Sequence, residues 1–105
     1  MEMETTPLSA ITISYEEESF RALSFRKAEL VVVTQYGDKL WYIDAEGIDD
    51  AGLLAWFGSS ENIRVELVAT AEDGGQWQGT GYLHPNEHNR AAAIRGDGEL
   101  TYLQN

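Results

Sequence analysis

The segment His84-Pro85-Asn86-Glu87-His88 contains both histidines of the chain and a carboxylate between them. On a helix, residues four apart share a face, so His84 and His88 could ligate one zinc ion while Glu87 acted as base toward its bound water. Pro85 opposes that arrangement: it is accommodated only where a helix starts, which leaves His84 ahead of the first turn with its direction altered. The segment therefore reads first as a polar loop, with a zinc-binding protein through His84, Glu87 and His88 as an alternative.

Other chemistry is thinly represented. There is no cysteine, which removes disulfides, thiolate metal sites and a cysteine nucleophile. None of the serines at 9, 14, 19, 24, 59 and 60 stands in a Gly-x-Ser-x-Gly elbow. Gly79-Thr80-Gly81 and Arg95-Gly96-Asp97-Gly98-Glu99 lack the full spacing of a phosphate-binding loop and read as turns. No catalytic residue, resident cofactor or metal is assigned on these residues, and the reading leans away from an enzyme.

Charge gives the stronger indication. Eighteen acidic residues against seven basic ones give a formal net charge of −11, which repels phosphate backbones and argues against direct nucleic-acid binding. The electrostatic complement is a basic protein surface. Glu16, Glu17 and Glu18 form the densest negative run, and with Asp49 and Asp50 they are the candidate partner-binding residues. The expected function is that of a non-enzymatic acidic binding protein, an inhibitor or immunity-type protein or a nucleic-acid mimic. No apolar run approaches the roughly 20 residues that span a bilayer, and a cytoplasmic location is expected.

The elements that must position these residues are mostly strands. Residues 1–7 read as a frayed tail and 8–105 as one β-rich domain. Ile11, Ile13 and Tyr15 alternate with polar residues, and Val31 to Val33 followed by Gly37-Asp38 and Lys39 to Ile43 read as a β-hairpin. Between Ile48 and Gly58 the period changes: Ile48, Ala51, Leu54 and Ala55 can share a helical face, with Asp49 and Asp50 at the positive end. Ile63, Val65, Leu67 and Ala69 alternate again, and Gly79 and Gly81 would permit strong curvature or a close approach within a strand. Residues 85–94 are either a second short helix or a hairpin loop entering a strand, and Leu100 and Tyr102 close the chain. The prediction is a mainly β fold: a small antiparallel β-barrel or curved sheet of about six or seven strands with one inserted helix at about 48–58. Outward tryptophans and tyrosines among acids would mark an interface or a ligand mouth, whereas Trp56 and Phe57 are expected in the core.

From Leu30 to Leu83 the order of hairpin, short helix ending in Leu53-Leu54-Ala55-Trp56-Phe57-Gly58, and the strand Trp77 to Leu83 resembles the middle of the flavin-binding split-barrel family. That resemblance implies a dimer with a flavin or deazaflavin in a cleft lined by Trp and Tyr. The chain has Ser60-Glu61-Asn62-Ile63 where that family often has Asn-Pro. For gripping a flavin phosphate it offers only Arg21, Arg26, Lys27 and Arg64.

Overall fold

The computed structural model describes residues 1–16 and 20–103. Among them are β1 (Glu2–Ser14), β2 (Arg21–Ala22), β3 (Lys27–Gln35), β4 (Asp38–Glu46), α1 (Ala51–Ser59), β5 (Arg64–Ala71), β6 (Gln76–Asn86) and β7 (Ala91–Leu103). The strands lie in the order β2-β1-β3-β4-β7-β6-β5, and β5 pairs back onto β1. All pairings are antiparallel, so six strands close a barrel and β2 is an extra strip on β1. The predicted mainly β barrel with one inserted helix is the observed fold.

Closure depends on a long first strand. Glu2 to Leu8 pair with Ala28 to Thr34, and after an irregularity between Leu8 and Ala10 the strand continues along β5 to Ser14. The expected frayed tail is therefore half a strand. Its sequence reads as tail because Glu2, Glu4 and Thr5 are exposed, and its order comes from a partner distant in sequence.

Alternation then fills the interior. Ile11, Ile13, Leu30, Ile43, Leu67 and Ile94 are buried almost completely, and each such side chain contributes about 1.5–3 kcal/mol by leaving water. The β3–β4 turn is formed by Tyr36 and Gly37, both with positive φ (52° and 83°), one residue earlier than expected. Two positive φ values match the right-handed twist of a two-residue hairpin.

Helix α1 seals one end of the barrel. Asp50 caps it, its Oδ1 accepting from the Leu53 N–H at 3.0 Å. Leu53, Leu54 and Phe57 are buried, whereas Ala51 and Ala55 are exposed. The face differs from the one expected because the larger side chains bury more apolar surface than two alanines could. Tyr15, Trp56 and Phe57 cluster at this end in tilted and edge-on contacts with ring centroids 4.7–4.8 Å apart. Phe57 is buried as expected, with Trp56 half-buried beside it.

The second helix at 85–94 does not form. β6 runs through Pro85 to Asn86, a turn follows, and Ala91 to Ile94 pair with both β4 and β6. Double pairing overrides the helix preference of three alanines. Pro85 is tolerated because β6 has outrun β5, whose ladder begins at Arg64↔Tyr82, so its missing N–H faces no neighbouring strand.

Candidate functional site

The end of the barrel opposite α1 is open, and its shape follows from an irregularity in β7. Thr80 pairs with Asp97 and Gln78 with Thr101, so Gly98, Glu99 and Leu100 stand opposite Gly79 alone. Such a bulge bends its strand. The β4–β7 ladder stops at Tyr42↔Arg95, and beyond it the two strands part. Between them opens a cleft of about 710 Å³, within the range of small-ligand sites, about 300–1,000 Å³.

Trp41 forms the floor. It is 5% exposed, faces the interior, and donates its indole N–H to the Gly98 carbonyl at 3.1 Å. The ring lies against the backbone where side chains would otherwise be: a Cβ on Gly96 would stand 2.3 Å from Trp41 Cε2, and one on Gly79 would stand 2.9 Å from Trp41 Cζ2 and 3.0 Å from Leu100 Cδ1. Val32, Trp77 and Leu100 complete the apolar lining. Trp77 is held by Tyr102, its cross-strand partner, in an edge-on contact at 5.3 Å between centroids. Around this lining stand Glu4, Asp38 and Glu99, with Lys39 the one cation among the described residues that line it, and Leu40 is 66% exposed beside them.

The residues singled out by sequence lie elsewhere. Glu16 lies in the turn after β1 and Asp49 and Asp50 precede α1, all at the sealed end; Glu17 and Glu18 lie outside the described residues. Asp50 is engaged structurally: besides capping the helix, its Oδ2 accepts from Arg21 at 2.7 Å, and Arg21 also donates to the Tyr15 hydroxyl at 3.2 Å. Glu16 and Asp49 are exposed. The structure thus brings these acids to one end of the barrel and neutralises the Asp50 carboxylate there.

His84 is exposed in strand β6, while Glu87 and His88 belong to the β6–β7 turn. The Glu87 carboxylate reaches back against Gly58, where an added Cβ would meet its Oε2 at 2.8 Å. Without a helix the two imidazoles lose the shared face that a zinc site requires, and among the described residues no group of three His, Asp or Glu side chains could hold a metal ion. The two glycine segments read as turns lie inside β6 and β7, where the missing side chains of Gly79 and Gly96 make room for Trp41 and that of Gly81 for the Arg95 carbonyl.

The cations suggested for a flavin phosphate are distributed differently. None of Arg21, Arg26, Lys27 and Arg64 lines the open cleft. Lys27 lies 3.6 Å from Glu29, and Arg64 donates to Asp97 at 2.8 Å and to the Tyr82 hydroxyl at 3.2 Å. The hydrogen bond to Asp97, then that to Tyr82, hold the Arg64 guanidinium above its ordinary pKa.

The molecule is thus a six-stranded antiparallel barrel with one sealed end and one open, aromatic end. The chain matches no known family model, no curated protein and no solved structure, so the case for its function rests on its own residues. Of the open site, sequence reading noted Trp41, Trp77 and the glycines separately; the signal that joins them is that glycines on two strands face one tryptophan.

Proposed function

We propose that this protein is a non-enzymatic binding protein whose open barrel end takes a cationic side chain of a basic protein partner. The observation that supports this reading is the cleft itself: Trp41 and Trp77 offer aromatic surface, and three carboxylates against one ammonium surround it. An arginine or lysine inserted there would bury its apolar stem against Val32 and Leu100 and place its charge near a tryptophan face and Glu4 or Glu99. The partner class is the one expected from the chain's charge, and the contact surface moves from the Glu16–Asp50 end to the opposite one.

Arginine amide is a suitable minimal probe, with tryptophan emission read in a Trp56→Phe background so that only the cleft tryptophans report. A saturable change is expected, weakened by 0.5 M salt and by the Glu4→Gln/Glu99→Gln pair, but not by Glu16→Gln/Asp49→Asn. An unresponsive spectrum, or a response lost with the second pair, would overturn the reading.

A further inference from the structure

Among the described residues, two of the stretches of strand backbone without a partner on one side, on β1 and on β4, differ in protection. One is the outer edge of β1 between Met3 and Thr5, beside which β5 has already ended. Glu2, Glu4 and Pro7 guard it, in the manner of edges built to resist pairing. The other is the start of β4, where β7 has swung away. That edge has no proline or bulge and carries Asp38 and Lys39 as its charges, and Leu40 stands exposed on it.

The register fixes which groups are free. With Tyr36-Gly37 as a two-residue turn, Gln35 and Asp38 form a hydrogen-bonded pair, and so do Val33 and Leu40 and then Val31 and Tyr42. Lys39 consequently turns its N–H and C=O groups toward the split, and Trp41 turns its N–H there, its carbonyl being used by the last β4–β7 rung at Tyr42↔Arg95. The Trp41 indole, held on the Gly98 carbonyl, keeps β7 from closing over them. A free edge, an aromatic floor and an acidic surround therefore coincide at one place.

We infer that the partner presents its cation on an extended basic segment that adds to the barrel as a strand along Lys39–Trp41 of β4. This deepens the reading of the open end as a cation-binding cleft and rests on it. Backbone hydrogen bonds to Lys39 and Trp41 hold the guest strand. Because side chains alternate along a strand, every second guest residue enters the cleft toward Trp41, Trp77 and Glu99, and those between lie outward beside Leu40. Charge selects the occupant: Glu4, Asp38 and Glu99 surround the split with Lys39 as their one opposing charge, which favours a guest whose inward residues are Arg or Lys.

The probe is a pool of ten-residue peptides alternating Arg or Lys with Val or Thr, compared with the same pool N-methylated at alternate residues. Binding is read by tryptophan emission and amide hydrogen exchange. Strand addition predicts that the unmethylated pool slows exchange at Lys39 and Trp41 at least tenfold and that methylation lowers affinity at least tenfold. Lys39→Pro should abolish peptide binding while Lys39→Ala retains it, because the Lys39 N–H makes no bond to β3 and proline there blocks only the free edge. Arginine amide should still bind Lys39→Pro, which shows that the cleft remains folded. If arginine amide binds but both peptide pools bind equally without protecting β4, strand addition is wrong and the cation cleft stands. If neither amide nor peptide perturbs the cleft tryptophans, the cleft reading fails as well.

Discussion

At the residue scale the open end depends on the fit between Trp41 and two glycines. Indole and bare backbone interlock there, and a methyl on Gly96 has no room because it would stand 2.3 Å from the Trp41 ring. Gly96→Ala must shift Trp41 or bend β7, an overpacking that costs about 1–3 kcal/mol. The expected outcome is a lowered unfolding midpoint together with loss of arginine amide binding. Gly98→Ala is the informative contrast, since nothing lies within 4 Å of an added Cβ; its cost comes only from its left-handed backbone, φ 80°, and the indole keeps its carbonyl acceptor. Both are measured by urea unfolding and by tryptophan emission; equal losses in the two variants would show that the Trp41 fit is not what shapes the cleft. These contacts are poorly legible in the sequence. Glycine letters near a tryptophan carry no statement of which strands meet, and the meeting here joins Trp41 to residues 38 and 55 positions later.

At the element scale the legible parts are those whose determinants are local. The β3–β4 hairpin is set by alternation and a turn, and α1 by a cap and apolar residues within a dozen positions. What the sequence obscures depends on distant partners: the first half of β1 is ordered by β3, and Ala91 to Ala93 become a strand only between β4 and β6. Asp50 shows how one local signal admits two readings, a residue at the start of a helix and a member of an acidic patch. Its position before the helix was legible, and its use is to cap α1 and bind Arg21, which draws it out of a free acidic patch. Asp50→Ala should destabilise the fold by about 0.5–2 kcal/mol through the lost cap, with less than about 1 kcal/mol more from the exposed pair with Arg21. Asp50→Asn keeps a capping oxygen and should recover most of that loss in chemical denaturation. If asparagine were as damaging as alanine, the ion pair rather than the cap would be what holds the helix against the barrel.

At the scale of the whole molecule, net charge acts on folding and on binding with opposite sign. A charge of −11 on a chain of this length repels itself in the compact state, whereas the ion pairs seen among the described residues are exposed and each contributes about 0–1 kcal/mol. Salt screens attraction and repulsion alike, so the larger sum decides, and here that sum is the repulsion. Raising sodium chloride from 10 mM to 300 mM should therefore raise the thermal midpoint by several degrees, since about 1 kcal/mol corresponds to 4–8 °C for a domain near this size. The same change should weaken the cation cleft, because screening acts on its attraction to a basic guest. Following unfolding by circular dichroism and peptide affinity by tryptophan emission along one salt series tests both signs on one sample. A midpoint that falls with salt would mean that the exposed pairs outweigh the repulsion. An affinity that is flat with salt would mean that the open end binds through its aromatic floor, with Glu4, Asp38 and Glu99 contributing nothing to the choice of partner.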